Sequence, residues 1–258
     1  MTFTYSSHHH LIPAIWDTWG KRCDGYIAFS NESVPHSPIL KLADDSGKVE
    51  SYDQMWHKSQ LIWRVAGDLL EHFDYFLLGG DDLYVIVDNL RALLRSPRIQ
   101  TLSRNGTTPI YLGRTLRQNA YLTFQSGGAG YLLNAAAVRV LVHLLVEEGS
   151  STPGEDRCMQ SVQTSMEDLM VAYCLRQAGV LPEDIRALDG RNIFHPLSPS
   201  QSYAPDPDLH KWYFNKAVHL DTGPNCCSEH SVSFHNIKSS AHMRSVHKHL
   251  YGGGHPPG

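Results

Sequence analysis

Asp81 and Asp82 stand side by side after the apolar run "FLLGG" (76–80), and the β-branched and aromatic run "LYVIV" follows at once. Like charges repel, and burying an unpaired carboxylate costs several kcal/mol, roughly, so such a pair needs a cation. Oxygen ligands at a strand end suit a hard divalent ion, Mg²⁺ or Mn²⁺, which could hold a diphosphate in turn. Gly-Gly-Asp-Asp is equally the composition of a plain turn, and this stretch alone leaves both readings open. A second acidic pair, Glu167-Asp168, opens an apolar helical pattern after a polar loop. Its plain role would be to complement the helix dipole. His235 in "SFH" is a lone histidine among aromatics, which on its own terms reads as a satisfied core residue, as does His195 in "FHP".

The elements that would position these groups alternate along the chain. Leu11 to Trp19 reads as a short helix, "GYIAFS" (25–30) as a strand, and 55–73 as a helix with apolar residues at helical spacing. "DYFLLG" is a strand and "VDNLRALLRS" a helix; "PIYLGR" (109–114) and "GAGYLLN" (128–134) are further strands, and "AAAVRVLVHLLVEEG" and "MEDLMVAYCLRQAGV" further helices. A polar loop is expected over 150–165, and from 195 onward Pro, His and aromatics dominate without clear periodicity. This β-α-β-α order with near-continuous apolar strands predicts an α/β fold with a mainly parallel twisted sheet, helices on both faces, and an irregular C-terminal part. No linker or repeat divides it, so residues 1–258 read as one domain. In such sheets ligands bind outside the carboxyl ends of the strands. Asp81 and Asp82 follow a strand, and so do Gly127, Gly128 and Gly130, where a missing side chain would let a substrate approach the backbone.

Composition narrows the class. The formal net charge of −4 over 258 residues gives no global basic field for nucleic acid. Several of the 16 histidines (His8, His9, His10, His247, His249, His255) lie in tails and loops and read as solvated surface groups. No apolar run approaches the roughly 20 residues of a membrane span. The five cysteines form no CxxC pattern. Two sequons, Asn31-Glu32-Ser33 and Asn105-Gly106-Thr107, fall in Gly/Pro/Ser-rich loops that would tolerate a glycan.

Six blocks in order resemble the Fringe-type β1,3-glycosyltransferase family, and within it most nearly the subgroup that adds galactose to O-linked N-acetylgalactosamine (core 1). They are "AIWDTWGKRC" (14–23), "DYFLLGGDDLYVIVDNLRALL" (74–94), "SGGAGYLLN" (126–134), "EDLMVAYCLRQAGV" (167–180), "GRNIFHPLSP" (190–199) and "GPNCCSEHSVSFHNI" (223–237). The resemblance implies a GT-A-type fold, a UDP-galactose donor, an acceptor glycoprotein bearing GalNAc, an inverting transfer, and Mn²⁺, with Mg²⁺ as the alternative ion. It also implies residence in the Golgi or secretory lumen, with a membrane anchor that this sequence does not display, and it is compatible with a homodimer. A non-catalytic chaperone of the same family is the alternative reading.

Residue by residue, the resemblance implies that Asp82, Asp81 and His235 hold the metal and that Asp168 is the catalytic base. Lys58, Asp81, Gly127 and Gly128 would face the donor, and Gly130, Tyr131, Trp212, Tyr213 and Glu167 the acceptor. Cys158 and Cys174 match a family disulfide. Cys23 matches a cysteine whose usual partner lies in the first strand, which is nearly missing here; the pairing of Cys226 and Cys227 stays open. The sequence departs from the family pattern where Gly80 replaces the first acid of its three-acid run and Leu78 a lysine, so Asp82 and His235 are expected to bear more of the metal.

Overall fold

The computed structural model describes residues 1–44, 50–147 and 158–252. The expected helix end at 148–149, the first part of the 150–165 loop and His255 lie outside the described residues. The strands are β1 (Thr2–Phe3), β2 (Ala28–Ser30), β3 (Ile39–Lys41), β4 (Tyr75–Gly80), β5 (Tyr84–Val85), β6 (Tyr111–Gly113), β7 (Thr115–Arg117), β8 (Thr123–Gln125), β9 (Tyr131–Asn134), β10 (Pro182–Asp184), β11 (Phe194–His195) and β12 (Ser233–Phe234). The α-helices are α1 (Ile12–Thr18), α2 (Met55–Gly67), α3 (Val87–Arg95), α4 (Pro97–Leu102), α5 (Ala135–Glu147), α6 (Glu167–Gln177), α7 (Pro199–Tyr203), α8 (Lys211–Lys216) and α9 (Ser240–Tyr251).

The main sheet has the order β10-β6-β9-β4-β1-β2-β3. Every pairing in it is parallel except those of β9, which runs against both β4 and β6. The expected α/β architecture, mainly parallel, is therefore present. The pleat explains why these strands read as continuous apolar runs, since alternate side chains enter two different cores. Phe76 and Leu78 of β4, with Tyr131 and Leu133 of β9, pack with Trp56, Trp63, Leu141 and Leu175 of α2, α5 and α6. Leu77 and Leu132 enter the opposite core with Ile12, Ile15, Leu90, Ile99 and Met243 of α1, α3, α4 and α9. The first strand is only two residues long, yet it sits between β4 and β2 in the sheet.

Three features were not legible in the sequence pattern. α2 ends at Gly67, short of the expected 73. A β7–β8 hairpin lies between the expected strands 109–114 and 128–134. The C-terminal part carries a 12-residue helix, α9, with an N-cap in which the Ser239 hydroxyl accepts from the His242 N–H. A small sheet, β11-β12-β5, ties that part back to the segment after Asp82. Cys158 is disulfide-bonded to Cys174 and Cys226 to its neighbour Cys227, while Cys23 is free. Among the described residues no helix is long and apolar enough to cross a membrane.

Candidate active site

β4 ends at Gly80, and Asp81 and Asp82 form the turn beyond it. β5 then pairs antiparallel with β12 in the register Phe234↔Tyr84, which brings the residue after β12, His235, back over Asp82. The Ile237 N–H donates to the Asp82 carbonyl at 2.9 Å and closes the crossing. His235 Nε2 lies 3.1 Å from Asp82 Oδ1. Its Nδ1 lies 3.1 Å from the Pro196 carbonyl, which can only accept, so Nδ1 carries a proton. Nε2 therefore faces a carboxylate oxygen with either a second proton or a cation between them. Burial would lower the His235 pKa, but the Asp82 hydrogen bond and charge outweigh it and raise it. Burial likewise pushes Asp82 up, and His235 more than reverses this, leaving the carboxyl below its usual range.

This pair fits a divalent ion. Two ligand atoms each bonded at about 2.1 Å and at right angles lie about 3 Å apart; the carboxylate suits a hard divalent ion, and the imidazole favours a transition-metal ion over Mg²⁺. Asp81 does not join the pair. Its Oδ2 accepts from the Thr4 hydroxyl at 2.7 Å and meets His8 Nδ1 at 3.1 Å. Burial raises its pKa, against the Thr4 and His8 contacts. Among the described residues no group of three or more His, Cys, Asp or Glu side chains is placed to hold a metal; Asp82 and His235 stand together, and Asp81 faces Thr4 and His8 instead.

Asp168, second residue of α6, is fixed by the glycine block after β8. Its Oδ2 accepts from the Gly127 N–H at 2.8 Å and its Oδ1 from the Leu169 N–H at 2.8 Å. Burial raises its pKa, partly offset by those N–H groups and by Lys216. Glu167 points into the protein, where its Oε2 accepts from Tyr131 OH at 2.8 Å and Ser59 Oγ at 3.1 Å. Burial, then the charge of Asp168, drives its pKa up, which favours the protonated form. The glycines are crowded by the site itself. A Cβ at Gly127 would come within 2.7 Å of Glu167 Oε1, and one at Gly128 within 2.8 Å of His235 Nδ1. They admit the side chains of Asp168 and His235 rather than only a substrate.

These groups meet in one cavity of about 910 Å³, lined by Asp81, Asp82, Gly127, Gly128, Glu167, Asp168, Trp212 and His235 among others. Four expected site residues lie behind its wall. Lys58 is fully buried; its ammonium donates to the Thr4 carbonyl and sits 4.2 Å from the Tyr5 ring centroid. Gly130, with φ +71°, would drive a Cβ into Leu83. Tyr131 is the buried donor to Glu167, and Tyr213 OH accepts from Arg114 Nη2 at 2.9 Å. Trp212 itself is 43 % exposed on the cavity wall. His195 is buried on Ser231, 2.9 Å away, and stacked on Phe234.

Sequence reasoning missed Tyr5, His8, His10, Tyr52, Lys216 and Lys238, all of which line the cavity. His8 and His10 had read as surface groups. A short 3₁₀ turn over Ser6–Leu11 folds them across the carboxyl end of the sheet, and no periodic signal marks such a turn. Arg114, fully buried with a guanidinium bonded to Asn192, Tyr213 and the His219 carbonyl, ties β6 to α8 and so fixes the wall that carries Trp212 and Lys216.

The chain is 29 % identical over 224 residues to glycoprotein-N-acetylgalactosamine 3-β-galactosyltransferase 1 of Xenopus laevis, covering 86 % of this chain and 57 % of that protein. The chain is thus similar in sequence to glycosyltransferases named for a 3-β linkage. It is also 24 % identical over 238 residues to human chondroitin sulfate synthase 3, covering 86 % of this chain and 25 % of that protein. With mouse N-acetyllactosaminide β-1,3-N-acetylglucosaminyltransferase 4 it shares 26 % identity over 161 residues, 58 % of this chain and 40 % of that one. The chain thus spans little more than half the length of the first of these relatives and less of the others. No family model matches it. A crystal structure of a glycosyltransferase involved in glycosylating the major capsid of PBCV-1 aligns over 96 % of this chain and 100 % of that one, at a TM-score of 0.39 and 10 % identity.

Two expectations follow from the geometry. Restoring the family's first acid with Gly80→Asp should weaken metal-dependent ligand binding several-fold, because a Cβ at 80 would stand 2.9 Å from Asp82 Oδ1 and 3.3 Å from the Phe3 ring, turning the carboxylate from His235. Calorimetric titration of UDP with Mn²⁺ reads this, and a gain in affinity would contradict it. Glu167 has a folded pKa above its unfolded one. Its contribution to stability is therefore complete below the usual carboxylate range and is lost as pH rises through the folded value. Glu167→Gln, which keeps an acceptor for Tyr131 and Ser59, should flatten the fall in melting temperature from mildly acidic to mildly alkaline pH. An unchanged slope would place the titration elsewhere.

Proposed function

We propose that this chain is the catalytic domain of an inverting, metal-dependent glycosyltransferase, moving galactose from UDP-galactose to the 3-hydroxyl of an O-linked GalNAc. The observation that carries the reading is the convergence of Asp82, His235 and Asp168 on one cavity at the carboxyl ends of the sheet. The donor and acceptor identities come from the Xenopus relative's name.

In this reading Asp82 and His235 would hold Mn²⁺, which would supply Lewis-acid neutralisation of the departing diphosphate. Lys238, exposed on the same wall, adds positive charge facing that diphosphate. Asp81 acts indirectly, holding Thr4 and His8 so that the first strand's end forms the donor side of the cavity. Asp168 accepts the proton of the acceptor hydroxyl as its oxygen attacks the anomeric carbon. Two backbone N–H groups orient the carboxylate and leave lone pairs free on both oxygens. Burial makes it more basic than a free aspartate, which favours general-base action. Burial favours the protonated form of Glu167 behind it, which lessens repulsion between the paired acids. Trp212 offers an aromatic face to the acceptor sugar. The disulfides Cys158–Cys174 and Cys226–Cys227 suit an oxidising compartment, in keeping with the lumen of the secretory pathway.

A second reading, a non-catalytic chaperone, draws on Gly80, which stands where the resembled family has its first acid. UDP release from UDP-galactose, with Mn²⁺ and a GalNAc-peptide, separates the readings. Acceptor-dependent release supports the transferase. Capture of an unfolded homologue without turnover supports the chaperone.

A further inference from the structure

The two sequons occupy opposite ends of the sheet, and this decides between them. Asn105 lies in the turn between α4 and β6, before the amino end of β6, whereas Leu116, beyond the carboxyl end of β6, lines the cavity. Arg104, Asn105 and Gly106 take φ of 46°, 55° and 89°, and this left-handed run puts Asn105 at an exposed tip. Asparagine and glycine are the residues that tolerate such backbone. The turn is firmly tied: the Asn105 N–H donates to the Gln100 carbonyl at 2.9 Å, the Thr108 N–H to the Ser103 carbonyl at 2.8 Å, and Asn134 Nδ2 to the Thr108 carbonyl at 2.8 Å. The Asn105 carboxamide has no hydrogen-bond partner among the described residues, and a Cβ at Gly106 would meet nothing within 4 Å. The amide is thus both free and surrounded by open space.

Asn31 differs in place, burial and side-chain bonding, although the hydroxyl of each sequon has a partner: Thr107 Oγ1 donates to the Arg104 carbonyl at 2.9 Å. It follows β2 at the carboxyl end of the sheet and is half-buried. Its Oδ1 accepts from Ser30 Oγ at 3.4 Å, and Ser30 Oγ in turn meets His9 Nε2 at 2.8 Å. The sequon hydroxyl, Ser33 Oγ, is held by the Lys41 N–H at 2.9 Å. A glycan there would have to stand against the segment that carries His8 and His10 over the cavity.

We propose that Asn105 is an N-glycan acceptor of this protein and that Asn31 is not. The inference rests on the secretory-lumen reading above. The donor is a lipid-diphosphate-linked oligosaccharide, and the chemistry balances. The Asn105 Nδ2 forms a C–N bond to the anomeric carbon, the C–O bond to the lipid diphosphate breaks with its electron pair on the diphosphate, and the amide proton goes to solvent. A glycan at this position projects from the end of the sheet remote from Asp82 and Asp168, so it solubilises the chain without obstructing the cavity.

The test expresses the full chain behind a cleavable secretion signal in a eukaryotic host and maps both sequons by peptide mass spectrometry with and without glycosidase. Asn105 should be occupied and Asn31 bare, and Asn105→Gln should lose the mobility shift while UDP release by the secreted protein stays as in the wild type. An empty Asn105, occupancy at Asn31, or a fall in UDP release in a folded Asn105→Gln protein would overturn the proposal. Because the signal enforces entry to the lumen, the occupancy result stands apart from where the native protein resides and from whether it transfers galactose.

Discussion

Asp168→Asn should lower sugar transfer by about 10²-fold or more, the usual scale for removing a general base. The amide keeps the size of the side chain and an oxygen that can accept from the Gly127 or Leu169 N–H, but it cannot take the acceptor's proton. UDP affinity with Mn²⁺ should hardly move, since the metal ligands proposed above are Asp82 and His235 rather than Asp168. If the acid serves only the helix dipole, the opposite pattern follows: a stability loss of at most about 1 kcal/mol and near-normal turnover. Turnover, UDP affinity and melting temperature on the one variant distinguish them. Surviving turnover would move the role of base away from Asp168.

The second large effect belongs to the metal pair. Asp82→Ala should remove the Mn²⁺-dependent part of UDP binding. Losing a residue that merely supports a ligand already costs 10–100-fold in metal affinity, so loss of the ligand itself should exceed about 100-fold. His235→Ala should act in the same direction with the fold intact, because the ring is only partly enclosed and packs at the cavity edge. The check is calorimetric titration of UDP with and without Mn²⁺, paired with thermal melts. Unchanged Mn²⁺-dependent affinity in either variant would remove that residue from the site, and collapse of His235→Ala would make the histidine a core residue after all.

What the sequence disclosed follows from how locally each feature is encoded. The apolar run 75–78 followed by glycines and acids marks a strand end and a polar site in consecutive residues, and the alternation of Phe76 and Leu78 with Leu77 between two cores accounts for its unbroken hydrophobicity. Glu167 and Asp168 are legible as a helix start, but not their separate fates. Which one faces the cavity and which faces Tyr131 depends on packing of α6 against the glycine block. His235 meets Asp82 only through the two-residue pairing of β12 with β5, and strands that short leave no periodicity. Lys58 shows the converse. The family resemblance implied a place facing the donor, yet it lies under Tyr5 as a buried donor to Thr4. Its ammonium has its pKa lowered to about 8 by burial. His8 and Lys238 enter the cavity from chain segments with no regular pattern, where only the folded contacts reveal them.

The most direct measurement of the central claim is the anomeric configuration of the product. Wild-type protein incubated with UDP-galactose, Mn²⁺ and a GalNAc-bearing peptide, followed by proton NMR, should give galactose β-linked to the 3-hydroxyl, with one UDP released per bond and formation all but abolished in Asp168→Asn. An α-linked product, or β-linked product formed equally well by Asp168→Asn, would contradict a single displacement assisted by this carboxylate.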